Sequence, residues 1–551
     1  MRSKIQISSI VAFTQLMTLA PAVHADSALE PAVSFIAGLL NVGVFPESDA
    51  YTTDDDIVIV ADDGVELAAN VFVPTGVAGA KPAVIFVNSW ALNEYEYLAE
   101  AARFAEEGYV VLSYSTRGFG QSGGLINTAG PQDMADFSRV VDYLLANFEV
   151  DPSRIGTAGI SYGAGISLLG AAHDSRIKAA AAMSTWGSLS DALYGEETPR
   201  LVWGELLNLS GDLLGNPDPE ILETWEDVLA GENLAEVYAW TDIRSPINYV
   251  GDLNSNGTAV YIAQNWGDNL FQVNSVLDMF AALSGPKHID LQAGTHAGPE
   301  LFGMIGGGDT HVLNNLHRWF AEHVKGVPGA MEGQLPVHMK VKFTSGYQEY
   351  SAYPVPEAVE HTWYLKPRTL LTMGGLSSSP YTGWDADNSI NSLFDTAATT
   401  AIPLASQLFE QLNVPVTADV SDANNSFGIV YVSGFLGEDL NIRGKPELSV
   451  TIEPKDEDVQ LVAYLYDMNL LGEGTLITHT PVTLHDVEVN TPIQVNLDIT
   501  ATAYDVPAGH RIALVLDTKD LLYAAPEDSL FAVDVEYSAS QQNTLTLPAI
   551  D

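Results

Sequence analysis

The chain has 551 residues, enough for two or three domains with cores of ordinary size. Acidic residues outnumber basic ones by 71 to 23, so its surface repels nucleic acid and anionic lipid. The absence of cysteine excludes a thiol nucleophile, a thiolate metal site and a cysteine-anchored lipid. The acids are scattered rather than blocked, which fits a solvated surface in a salty medium.

The first residues read as a secretory signal. Arg2 and Lys4 precede a mostly apolar stretch over 5–19, and Val23-His24-Ala25 resembles a cleavage site. Export to the periplasm or the medium is the expectation, with the mature chain starting near Asp26. The next apolar stretch, 35–45, is too short and glycine-broken to span a bilayer, so no membrane insertion is expected.

Residues 63–74 alternate as a strand does. The run 81–88 is continuously apolar, as in a buried parallel strand. A helical pattern over 94–107 and a second buried strand over 109–114 follow. Met134, Phe137, Val141, Leu144 and Phe148 then fall at helical spacing. A short strand at 154–158 leads into Gly159-Ile160-Ser161-Tyr162-Gly163 and the small-residue run 164–172. Strand 177–183 comes next. The alternation predicts a parallel sheet wrapped by helices.

It pauses over 186–241, which is helical in pattern and holds Trp203 and Trp225. A helical insertion there lies over the strand ends as a cap. Strands resume at 258–264 and 289–292, and a helix over 311–324 closes the domain. From about Pro336 short β-rich segments recur between Gly, Pro, Asn and Asp, the spacing of an all-β sandwich.

Two windows fit G-x-S-x-G. The first, 120–124, leads into a loop, so Ser122 reads as a turn residue. The second lies between a strand and a helix, the context in which a strained turn presents a nucleophilic serine. Ser161 is therefore the candidate nucleophile. A serine hydroxyl needs a base, and the base needs a carboxylate to orient it, in the chain order Ser, Asp, His.

Two loops supply them. Asp268 follows strand 258–264, and His296 follows strand 289–292 in a glycine-bounded loop. Both sit past a strand's C-terminal end, where such sheets bind ligands. Asp252 and Asp290 compete with Asp268. His288 begins a strand, while His311 and His317 fall in the closing helix as packing or surface residues. The N–H of Tyr162 is the expected first oxyanion donor, and Ser89-Trp90 the loop supplying the second. Asp252-x-Asn254-x-Asn256-Gly257 imitates half a calcium loop, but its twelfth position is Ala263, so it reads as a turn. Neither metal nor cofactor is expected.

These motifs resemble the cocaine-esterase and X-prolyl dipeptidyl aminopeptidase family. The resemblance rests on Gly-Ile-Ser-Tyr-Gly at 159–163, Thr116-Arg117-Gly118 with Ser122-Gly123-Gly124, and Asp63-Gly64 with Leu67. It rests also on Asp268 after Trp266, His296, Arg318-Trp319-Phe320 with Lys325-Gly326, and 507–511. It implies an α/β-hydrolase core (26–185 and 247–330) after a signal peptide (1–25), a helical cap (186–246) and a C-terminal jelly-roll sandwich (331–551). It also implies acyl transfer through a serine intermediate, with His510 structural. Two features depart from the family. Trp90 stands where the family places a tyrosine hydroxyl donor, so an indole or backbone N–H must substitute. The cap is short, so the family's substrates do not transfer.

The leading expectation is a serine esterase acting on a small-molecule carboxylic ester. The alternative is an exopeptidase releasing X-Pro dipeptides, which needs an acid for the substrate amine; Glu196, Glu197 and Glu205 are candidates. A third reading is a non-catalytic protein whose β-sandwich binds glycan or a surface.

Overall fold

A computed structural model describes residues 44–305, 308–369, 372–400, 411–526 and 530–550. The signal-like segment 1–25 and most of the apolar stretch 35–45 lie outside the described residues. Among the described residues no helix is long and apolar enough to cross a membrane.

The wholly apolar stretch Ala83–Val87 is fully buried because its strand is covered on both faces. It belongs to a ten-stranded sheet made of β1 (Tyr51–Val60), β2 (Glu66–Pro74), β3 (Lys81–Val87), β4 (Val110–Tyr114), β5 (Val150–Ile160), β6 (Ile177–Met183), β7 (Ala259–Asn265), β8 (Lys287–Gln292), β9 (Val337–Lys340) and β10 (Tyr347–Tyr350). The order is β1-β2-β4-β3-β5-β6-β7-β8-β9-β10. From β4 to β9 every neighbouring pair is parallel, and the β1–β2, β2–β4 and β9–β10 pairs are antiparallel.

Helices α1 (Leu98–Glu106), α2 (Pro131–Asn147) and α3 (Tyr162–His173) connect the first parallel strands. Between β6 and β7 run α4 (Leu189–Tyr194), α5 (Leu201–Leu214), α6 (Pro219–Ala230), α7 (Leu234–Asp242) and α8 (Val250–Asn256). Then come α9 (Val273–Ala282), α10 (Gly298–Ile305) and α11 (His311–Phe320). The segment read as half a calcium loop forms the end of α8. Gly257 closes it in the left-handed conformation at φ 67°, so its polar residues are helix ends rather than a turn or a metal loop.

Among the described residues, fourteen further strands between Val359 and Ile550 make a second, mostly antiparallel β-network around its own apolar core. The parallel pairing in it, again among the described residues, joins Gly374–Ser377 to Ile429–Ser433. Residues 337–350, read as the start of the β-sandwich, pair with the first sheet instead: Asp290 lies opposite His338 in a parallel register. Short β segments look alike in sequence whichever sheet accepts them. At the sheet edge, β1 carries Asp54-Asp55-Asp56 exposed to solvent, with a bulge interrupting its pairing between Asp54 and Ile57.

The second domain touches the cap as well as the core. Val202 N–H donates to the Leu522 carbonyl (3.4 Å), Ala524 N–H to Pro199 (3.0 Å), and Thr198 meets Thr483 through their hydroxyls at 2.8 Å.

Candidate active site

The polypeptide turns sharply where β5 meets α3. Ser161 has φ 55° and ψ −118°, a strained conformation for a residue with a side chain. Two glycines make the turn possible. A Cβ on Gly159 would lie 2.4 Å from the Gly163 carbonyl carbon, and one on Gly163 would lie 2.0 Å from the Val87 carbonyl oxygen. Both obstacles are backbone, which cannot swing aside as a side chain does. Ser122, in the other G-x-S-x-G window, donates to the Ser115 carbonyl (2.7 Å) and accepts from Ala68 N–H (2.9 Å), binding its loop to β2.

Loops after three different strands meet at Ser161. His296 Nε2 is 2.7 Å from Ser161 Oγ, and His296 Nδ1 is 2.8 Å from Asp268 Oδ2. Asp268 is held by its own loop. Its Oδ1 accepts from the N–H groups of Leu270 (3.0 Å) and Phe271 (2.8 Å), and Gln264 donates to Oδ2 at 3.3 Å. A carboxylate at Nδ1 favours a proton on that nitrogen, an arrangement that can leave Nε2 facing the Ser161 hydroxyl as an acceptor. Phe271 and Trp203 stand edge-on to the imidazole, with ring centroids at 4.8 and 5.5 Å. The competitors lie elsewhere. Asp252 is exposed on α8, and Asp290 is buried among His288, His311 and His338.

The two proposed sources of oxyanion donors fare differently. Tyr162 N–H opens α3, where a helix leaves its first donors without intrahelical partners and the helix dipole favours negative charge. Ser89 is committed elsewhere. Its N–H and hydroxyl both donate to Glu96 at 2.6 Å. Trp90 spends its indole N–H on the Leu207 carbonyl of α5 at 3.0 Å. That corrects the expectation for the Ser89 groups and the indole: each already has a protein acceptor. The backbone N–H of Trp90 has no protein acceptor among the described residues.

A polar scaffold under the histidine loop was not read from sequence. Ser184 Oγ accepts from Ala297 N–H (3.1 Å) and from Asn265 Nδ2 (2.9 Å). Gln292 Nε2 donates to buried Glu300 at 2.8 Å. The available signal was Asn265 and Gln292, polar residues ending β7 and β8. The loop also needs Gly294, at φ 153°, where a Cβ would sit 2.6 Å from the Pro299 ring.

Burial pushes the Glu300 carboxyl up from 4.5 to about 7, against hydrogen bonding and His296, which lower it. Between those values the folded chain holds a proton that the unfolded chain has lost. Glu300 therefore contributes stability that is complete below pH 4.5 and fades as pH rises through about 7, by at most about 3 kcal/mol. Glu300→Gln removes this dependence. From denaturant unfolding, the stability of wild type relative to Glu300→Gln should fall by that order between pH 4.5 and 7.5. A constant difference would contradict a protonated Glu300.

The cap closes a cleft over Ser161. Trp90, Leu207, Ile221, Trp225, Trp240 and Phe271 dominate its wall, and no Asp, Glu, Lys or Arg lines it among the described residues. Thr128, Ser190, Asn208, Thr224 and Thr241 supply neutral polar atoms. Glu196, Glu197 and Glu205 are exposed and outside this lining; Glu205 accepts from Trp225 Nε1 at 2.9 Å.

The α/β sheet with its serine turn and the adjoining histidine and aspartate define a serine hydrolase. Residues 63–298 match the family model for X-Pro dipeptidyl-peptidase (S15 family), and residues 329–545 match that for the X-Pro dipeptidyl-peptidase C-terminal non-catalytic domain. The chain thus belongs to the S15 family of serine hydrolases, with both of its domains in order.

Among solved structures, a CocE/NonD family hydrolase from Staphylococcus aureus is similar at a TM-score of 0.69 and 14% identity, covering 91% of this chain and 94% of that one. An α-amino acid ester hydrolase is similar at a TM-score of 0.68 and 16% identity, covering 92% and 98%. At such identities the likeness concerns the fold. In sequence, the chain is 35% identical over 120 residues to an uncharacterized protein of Pseudomonas aeruginosa, covering 21% of this chain and 32% of that one. It is 32% identical over 123 residues to polyketide transferase claH of Penicillium crustosum, covering 21% and 38%. These matches span about a third of the curated relatives' length.

Proposed function

We propose that the protein hydrolyses carboxylic esters with an uncharged, apolar acyl group, using Ser161 as nucleophile, His296 as base and Asp268 as its orienting partner. Ser161 Oγ attacks the acyl carbon while His296 Nε2 takes its proton. Asp268 stabilises the imidazolium. Tyr162 N–H holds the oxyanion, with the Trp90 backbone N–H as second donor. The ester C–O bond then breaks, and His296 returns the proton to the leaving alkoxide. Water, deprotonated by His296, attacks the acyl-enzyme and restores Ser161 with release of the acid.

The observation that carries the ester reading is the uncharged lining of the cleft. An exopeptidase must bind a substrate ammonium, and an ammonium buried without a carboxylate is costly. Purified protein is to be assayed on p-nitrophenyl esters of acetate, butyrate and octanoate, on an α-amino ester, and on an Ala-Pro anilide. The expected result is the highest kcat/KM on a neutral ester, a lower value on the amino ester, and negligible anilide cleavage. Preferred cleavage of the anilide would transfer the protein to the peptidases. Turnover of none would favour the glycan-binding reading.

A further inference from the structure

Three imidazoles converge on one buried carboxylate oxygen where β8 pairs with β9, in a cluster that shares no residue with Ser161, Asp268 and His296. His288 and Asp290 project from the same face of β8, His338 sits beside Asp290 on β9, and His311 opens α11. His288 Nε2 and His338 Nδ1 each lie 3.0 Å from Asp290 Oδ1, and His311 Nε2 lies 3.3 Å from it. His311 Nε2 and His338 Nδ1 are also 3.0 Å apart. Asp290, His288 and His338 are buried, and the His311 side chain is about one-third exposed.

We propose that His288, Asp290, His311 and His338 bind one divalent transition-metal ion of the zinc type. A tetrahedral zinc shell with bonds of about 2.0–2.1 Å places its ligand atoms about 3.3–3.4 Å apart. The ligand atoms of His288, Asp290 and His338 all lie within 4.8 Å of one another, and His311, 3.3 Å from Asp290 Oδ1 and 3.0 Å from His338 Nδ1, joins them by a swing of its part-exposed ring. Hydrogen bonding alone accounts poorly for the arrangement. One carboxylate oxygen has two lone pairs, yet three imidazole nitrogens face it, two of them also facing each other. A cation at their centre uses all four lone pairs at once.

The surroundings fit a metal ligand set. Tyr261 O–H (2.7 Å) and Asn315 Nδ2 (2.9 Å) donate to the other oxygen, Asp290 Oδ2, which turns Oδ1 toward the imidazoles. Asn315 Nδ2 also lies 3.1 Å from His311 Nε2, and metal binding takes that lone pair from the amide. Tyr347 of β10 stacks on His311 with ring centroids 3.8 Å apart. Glu349 Oε2 stands 3.6 Å from His338 Nε2, placed to receive its N–H once Nδ1 is metal-bound. Three imidazoles and one carboxylate suit zinc and neighbouring metals, not calcium or magnesium. The ion would fasten β8, β9 and α11 together; four protein ligands close the site, so its role is structural.

The full chain is to be stripped with a chelator, desalted, and titrated with Co²⁺ and then Zn²⁺. One equivalent of Co²⁺ should give the intense visible band of a tetrahedral site, bleached by one equivalent of Zn²⁺. Zn²⁺ should also raise the melting temperature. His311→Gln, at the least buried ligand, and His338→Gln should each weaken binding by about tenfold or more, with circular dichroism confirming the fold. Absence of a cobalt band and of retained zinc in the folded wild-type chain would overturn the proposal. Binding undiminished in both variants would overturn it too, and would point to another group such as Glu453, Asp534 and Glu536. None of these readouts depends on ester turnover.

Discussion

Ser161→Ala should lower ester turnover by about 10⁴-fold or more, and His296→Ala by a comparable factor. The two residues act on one proton, so the double variant should lose little beyond either single one. The fold should survive Ser161→Ala, since a smaller side chain at φ 55° adds no clash and the hydroxyl's partner is His296 alone among the described hydrogen bonds. Steady-state kcat on p-nitrophenyl butyrate, with circular dichroism alongside, checks this. A double variant losing the product of the two factors would mean that Ser161 and His296 act separately. Turnover retained in Ser161→Ala would remove the serine from the chemistry.

Asp268→Asn should be nearly as damaging to turnover, about 10⁴-fold, with binding of a neutral ester little changed. The carboxylate accepts from His296 Nδ1 while its other oxygen accepts from Leu270 and Phe271 N–H. An amide that keeps those two backbone bonds turns its NH₂ toward Nδ1. The imidazole then carries its proton on Nε2 and cannot receive one from Ser161. Asp268→Glu keeps the charge but misplaces it, and should fall between the two. The check is kcat and KM measured separately: a fall in kcat alone fits a tautomer fault, whereas a raised KM alone would mean that Asp268 shapes the cleft instead.

The parts legible in sequence were those governed by local rules. The run 81–88 is apolar throughout because β3 is covered on both faces, and Ser161 stands out because its flanking glycines meet backbone on two sides. Asp268 and His296 were found by chain order and by their positions past strand ends. What escaped were pairings between distant segments. Ser89 reads as a free donor until Glu96, on the same loop, captures both its groups. Trp90 reads as a replacement for a tyrosine hydroxyl until the cap carbonyl of Leu207 takes its N–H. Residues 337–350 belong to the first sheet because β9 pairs along the side of β8 that β7 leaves free, which no local pattern records. His338 then falls opposite Asp290, and the histidine cluster exists only through that pairing. The uncharged cleft is equally non-local, assembled from four cap helices of a very acidic chain whose carboxylates point elsewhere.

The most direct measurement is the intact mass of the protein quenched with acid during turnover of p-nitrophenyl butyrate, followed by peptide mapping. The expected result is a fraction of the wild-type chain heavier by one butyryl group, carried on Ser161, and none in Ser161→Ala. Turnover by a chain that acquires no acyl group, or an acyl group mapped to another residue, would contradict a serine acyl-enzyme at this site.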